Sequence, residues 1–180
     1  GEAQRRYKSA CAPPFNARAA DEARSLIADV VSRALDRLDD SATTAELRAS
    51  LAAPVALEVI ARVLGLPPSL DVALRGWYDT FADALMNYAR DDATRVRAHA
   101  TARAFRDAIA PRLRAPDVDD RSLLAALART HPRLLDDEEI GANALIVMFG
   151  GIETTEGLIA NALWALLTHP HVLPRLRASD

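Results

Sequence analysis

The chain has 180 residues and a formal net charge of −3; half of its residues are hydrophobic and 26% are charged, which excludes wholesale disorder. A single cysteine, Cys11, excludes an intramolecular disulfide and a cysteine-based zinc site, and the mildly acidic balance argues against a general nucleic-acid binder, which needs a clustered positive face. With 37 Ala and 24 Leu, about a third of the chain, and few β-branched or aromatic residues, the expected fold class is all-α, with residues 1–180 forming a single helical domain.

Residues 2–12 read as a short helix that Pro13-Pro14 stops. From Ala17 to Leu38, the residues Leu26, Ile27, Val30, Val31, Ala34, Leu35 and Leu38 recur at three- and four-residue spacing and define one buried stripe. Ala45 to Leu51 is short, either irregular or one strand. Ala53 to Leu64 is helical and ends at Gly65 and Pro67-Pro68. Leu70 to about Ala89 is helical, with Leu74, Trp77, Phe81, Ala84, Leu85 and Tyr88 on one side. Asp91 to Leu113 is long and charged, with mostly small apolar residues, which predicts a surface helix. Pro116 to Asp120 reads as a linker, and Arg121 to Leu127 as a short helix.

Asp136 and Glu139 have the spacing of a capping box, opening a central helix over about 137–167 that is ~45 Å long. Its apolar residues go all the way round, which predicts a helix in the middle of the structure. Glu153 and Glu156 interrupt the longest apolar stretch, so no membrane span is expected. No targeting segment is visible in the polar start, Gly1 to Arg6, and a cytoplasmic location is expected.

Halfway along this helix stands Phe149-Gly150-Gly151-Ile152-Glu153-Thr154-Thr155-Glu156-Gly157. Mid-helix glycines cost about 1 kcal/mol each relative to alanine. Hydroxyls and carboxylates in a buried element cost more unless paired. Two readings account for the exception. One is a kink with close helix–helix packing. The other is a notch, where the backbone can be approached closely and a hydroxyl and an acid stand side by side.

Gly150-Gly151-Ile152-Glu153-Thr154-Thr155 resembles the oxygen-binding motif of the long central helix of cytochrome P450 enzymes, whose pattern is Ala/Gly-Gly-x-Asp/Glu-Thr-Thr/Ser. Asp136-Asp137-Glu138-Glu139-Ile140 is similar to the polar start of that helix, and Leu167-Thr168-His169-Pro170 to its exit. Ala53-Pro54-Val55-Ala56-Leu57-Glu58-Val59-Ile60-Ala61 to Leu64-Gly65-Leu66-Pro67 resembles the family's fifth helix, and Ala12-Pro13-Pro14-Phe15 with Arg18 the segment after its third. The resemblance covers nearly the whole chain and is specifically to the soluble bacterial members.

It implies a haem cofactor in the parent family and a role for each matching residue. Glu153 and Thr154 would be the acid–alcohol pair that delivers protons for oxygen activation. Gly150 and Gly151 would lie flat over the porphyrin. Gln4 and Lys8 fall where the family offers groups to the haem propionates; Lys8 keeps a cation without the guanidinium fork, and Gln4 offers a neutral hydrogen bond. Trp77, Phe81 and Leu85 are candidate contacts to a small apolar substrate. The family's thiolate loop and Glu-x-x-Arg pair lie beyond Asp180, and Cys11 matches neither. The expectation is therefore no metal ligand in the chain, no haem held by it alone and no activity alone. The implied function is that of the central part of a haem-thiolate monooxygenase in bacterial secondary metabolism. The alternative is a haem-free, P450-like auxiliary protein that stabilises a partner enzyme such as a natural-product glycosyltransferase. In either case a homodimer or partner protein is expected to cover the central helix, through Leu158, Leu163, Trp164 and Leu167.

Overall fold

The computed structural model describes residues 1–12, 15–38, 44–114, 121–129 and 134–178. Eight α-helices are formed among them: α1 (Glu2–Cys11), α2 (Ala17–Asp36), α3 (Ala53–Leu64), α4 (Asp71–Leu85), α5 (Asp92–Arg114), α6 (Leu123–Arg129), α7 (Asp137–Thr168) and α8 (Leu173–Arg177). Short 3-10 turns, Pro68–Leu70 and Pro170–Val172, lead into α4 and α8. The described residues hold no strand, so the all-α expectation stands. The Pro13-Pro14 stop and the 116–120 linker lie outside the described residues.

Local chemistry sets several ends where expected. Asn16 caps α2, its side chain accepting from Ala19 N at 2.9 Å. Gly65, at φ 86°, closes α3 in the left-handed conformation that only glycine adopts without cost. Asp136 and Glu139 form the reciprocal capping box of α7. Two segments differ from the sequence reading. Before α3, the residues Arg48–Ala52 form neither strand nor irregular loop but a π-helical turn continuous with α3. α4 ends at Leu85, and the chain after it turns at Arg90, which has φ 56°.

The core lies where α3, α4, α5 and α6 meet one face of α7. Leu64, Leu74, Phe105, Ile109, Leu123, Leu124, Ile140, Met148 and Ile152 are fully buried there. α5 thus departs from the expected surface helix. Phe105, Ile109 and Leu113 recur every four residues and bury one narrow stripe, while the many Arg and Ala residues occupy the rest of its circumference. A smaller group, Val30, Ala34, Leu51 and Val55, receives Ile159 and Leu163 from the far half of α7. Leu163 therefore belongs to the core rather than to an uncovered stripe. Leu158, Trp164 and Leu167 remain 65–69% exposed.

The two adjacent glycines of α7 face different surroundings. A Cβ on Gly151 would stand 2.3 Å from Ile60 Cδ1 and 2.8 Å from its Cγ1, so Gly151 is the notch that receives α3. A Cβ on Gly150 would meet nothing within 4 Å. Close helix–helix packing thus accounts for Gly151, while the Cβ side of Gly150 stays open.

Candidate active site

The exposed side of α7 beside Gly150 carries the motif's polar groups. The Thr154 hydroxyl donates to the Gly150 carbonyl one turn earlier, which ties the side chain down over the glycine. Glu153, the preceding residue, is exposed. Gly150 itself opens on a recess of about 400 Å³ lined by Phe81, Ala84 and Leu85 of α4 and by Leu145, Ile146 and Phe149 of α7. Phe149 is steadied from behind by Tyr78, whose ring stacks on it at 5.7 Å between centroids. Burial pushes the Tyr78 hydroxyl up from its ordinary range, and the charges of Glu153 and Glu156 add to the shift.

Two of the three proposed substrate residues, Phe81 and Leu85, thus meet at Gly150. Trp77 does not. It packs edge-on against Phe105, 5.4 Å between centroids at 85°, and so serves the core rather than the recess. Of the further aromatic and apolar residues on that helix, Met86 and Tyr88 stand exposed beyond its end.

Gln4 lines a second recess, of about 670 Å³, with Tyr7, Asp136, Glu138, Glu139, Ala142, Asn143 and Ile146. Ile146 borders both recesses, so the apolar recess at Gly150 adjoins one that carries Asp136, Glu138, Glu139 and Asn143. Lys8 is exposed one turn further along α1. Cys11 is half-buried against the core, and that burial raises its thiol above the ordinary range, as for an inert structural thiol.

The cluster that holds α1 in place was not legible in the sequence. Arg6 Nη1 donates to Glu139 Oε2 at 3.0 Å and to the Leu134 carbonyl at 2.8 Å, its Nη2 donates to Glu139 Oε1, and the Tyr7 hydroxyl donates to the same oxygen at 2.8 Å. Glu139 was visible as a capping residue, but its partners lie more than 130 positions away. The Arg6 guanidinium, the Asp136 amide and the Tyr7 hydroxyl together hold the Glu139 carboxyl at about 2, well below its ordinary 4.5. Because the folded value is depressed, this contribution to stability is present above pH 4.5 and is lost as the pH falls towards 2. Acid denaturation followed by circular dichroism should therefore show a falling stability over that window, and Glu139→Gln should flatten it. An unchanged acid limb in the variant would contradict the assignment.

Glu156 is the buried charged residue among the described residues. Its Oε1 accepts from Arg48 Nε at 2.7 Å, its side chain 9% exposed against 66% for Arg48. The pair borders a recess of about 690 Å³ with Glu46, Ala49, Ala53, Pro54, Leu57 and Arg75. The sequence showed Glu156 as a carboxylate needing a partner; only the fold supplies which one. Among the described residues no group of three or more His, Cys, Asp or Glu could hold a metal ion, and no helix is long and apolar enough to cross a membrane.

The family model for cytochrome P450 matches residues 75–179. The chain is 33% identical over 177 residues to the cytochrome P450 monooxygenase PikC of Streptomyces venezuelae, covering 96% of this chain and 41% of that protein. It is 31% identical over 168 residues to cytochrome P450-SOY of Streptomyces griseus, covering 92% and 39% respectively. Among solved structures, the LnmA cytochrome P450 hydroxylase from the leinamycin biosynthetic pathway of Streptomyces atroolivaceus superposes with a TM-score of 0.78 at 27% identity, over 97% of this chain and 44% of that one. The chain thus spans about two fifths of the length of the curated relatives it matches.

Proposed function

The chain belongs to the cytochrome P450 family, and from that premise we propose that its residues supply the oxygen-activating face of a bacterial haem-thiolate monooxygenase that oxidises a small apolar molecule in secondary metabolism. The observation that carries this reading is the conjunction at Gly150. A backbone with no atom within 4 Å of its missing Cβ opens on an apolar recess, and the Thr154 hydroxyl is tied to its carbonyl beside Glu153. The Streptomyces relatives support the setting.

The residues around Gly150 suit the apolar body of a haem. The recess at Gly150 is lined by Phe81, Ala84, Leu85, Leu145, Ile146 and Phe149, whereas the adjoining recess at Gln4 carries Asp136, Glu138 and Glu139, whose carboxylates do not suit propionates. When bound, haem supplies the iron centre at which dioxygen is reduced. Gly150 leaves room for the ring where any side chain would intrude. Despite those carboxylates, Gln4 and Lys8 are the groups that would face its propionates, Lys8 as a point charge. Phe81, Leu85, Ile146 and Phe149 would exclude water and hold the hydrocarbon of a substrate in this recess. Glu153, open to solvent, would take up a proton and pass it to the Thr154 oxygen as that hydroxyl, turning from the Gly150 carbonyl on which it rests, gives up its own proton toward the site.

In a haem-loaded protein carrying these residues, Thr154→Ala and Glu153→Gln should each lower substrate oxidation by about a hundredfold or more, with haem content and substrate affinity unchanged. Unchanged turnover in both variants would overturn the reading. Absence of haem uptake would instead favour the haem-free auxiliary protein, for which the exposed Leu158, Trp164 and Leu167 offer a face that a second copy or a partner enzyme would cover. A cytoplasmic location is part of the same proposal.

A further inference from the structure

We propose that Arg48 and Glu156 are a positioning pair: they fix the rotation of α7 against α3 and so set the direction in which Glu153 and Thr154 present their groups. This rests on the reading of those two residues as the proton-delivering pair.

The π-turn Arg48–Ala52 runs without a break into α3, so Arg48 and Ile60 ride on one helical rod. That rod packs along α7: Leu51 and Val55 meet Ile159 and Leu163, and two further contacts lie around the motif. Ile60 seats in the notch at Gly151, and Arg48 reaches Glu156. Those two contacts lie five residues apart on α7, about 7.5 Å along its axis. The apolar contacts hold the two helices together, and the ion pair is the directional contact nearest the motif. Glu153 and Thr154 lie between Gly151 and Glu156 in sequence and on the exposed side. The rod's own end is secured, because the Glu46 carboxylate accepts from the amides of Arg48 at 3.2 Å and Ala49 at 2.5 Å. A π-turn is uncommon, and here it brings the side chain of Arg48 onto α7.

The energetics point the same way. The Glu156 carboxylate, its side chain 9% exposed, needs a partner, and Arg48, 66% exposed, reaches it while staying in water. What an ion pair adds is direction. Nε to Oε1 at 2.7 Å specifies one rotation of α7 where a greasy contact would accept several.

The test has two arms. In the first, amide hydrogen exchange is measured on the chain itself. Arg48→Met should speed exchange of residues 153–157 about tenfold more than that of Ile140 to Met148, and Arg48→Lys should restore part of the protection. Uniform acceleration along α7 would mean that the pair only adds to global stability and would overturn the proposal. This arm does not depend on haem, so it stands apart from the fate of the oxygenase reading. In the second, a haem-loaded protein carrying these residues is assayed with Glu156→Gln, which leaves no buried charge behind. The kcat should fall about tenfold with KM unchanged. An unchanged kcat alongside altered exchange would also overturn it.

Discussion

Gly151→Leu is expected to lower the unfolding free energy by about 3 kcal/mol, the upper end of what overpacking costs, while Gly150→Leu leaves it unchanged or raised. The two positions are neighbours on α7, and sequence alone treats them alike. At Gly151 the first added carbon would already stand 2.3 Å from Ile60 Cδ1, and the helix carrying Ile60 would be pushed off α7. At Gly150 the same carbon meets open space, and leaving glycine for a better helix former gains about 1 kcal/mol. Urea denaturation followed at the helical circular dichroism band measures both. Ile60→Ala should recover part of the loss at Gly151, because the two side chains compete for one volume. Equal stability of the two leucine variants would show that α3 does not pack on that notch. The contrast also separates fold from chemistry: Gly150→Leu should keep the fold yet block the apolar recess.

Phe105→Ala should cost about 4 kcal/mol, the middle of the range for a large buried aromatic. Phe105 is fully buried and meets Trp77 edge-on at 5.4 Å, where α5 packs on α4 and α7. Truncation removes the ring's burial and leaves a cavity that helices on both sides hold open. For a chain of this length the melting temperature should drop by about 10 °C, and the Trp77 emission should shift as water reaches the gap. A loss under about 1 kcal/mol would mean that the site collapses and that α5 is the loosely held surface helix its composition suggests.

Much of the architecture was legible beforehand because it is local. Helix propensity, the Asp136–Glu139 capping box and the Gly65 stop each depend on a few neighbouring residues, whereas the spacing of α2 gave the helix but not its stripe, since Val30 and Ala34 are buried and Ile27 and Leu35 exposed. The motif around Gly150 was legible for the opposite reason: it breaks the local rules of a helix, and its departures matched a known pattern. The failures share a cause as well. The stripe of α5 has only three large residues among many Arg and Ala, so its mean composition hid its burial. Trp77 and Phe81 lie four residues apart on one helix, yet one turns to Phe105 and the other to Gly150. Periodicity assigns a side, and the neighbouring helices divide that side between core and recess.

By itself, then, the sequence determined the helical class, the ends of the best-capped helices, and the position of the acid, the hydroxyl and the glycines on one long helix. The tertiary structure decided what each of these meets. Gly151 receives Ile60 while Gly150 stays open; Glu156 finds Arg48; Glu139 gathers Arg6 and Tyr7 from the other end of the chain. Capping and helix propensity act over about one turn and are written in adjacent residues. Pairings between residues about ninety or more positions apart depend on how whole helices cross, which is set by the sum of all the buried contacts at once.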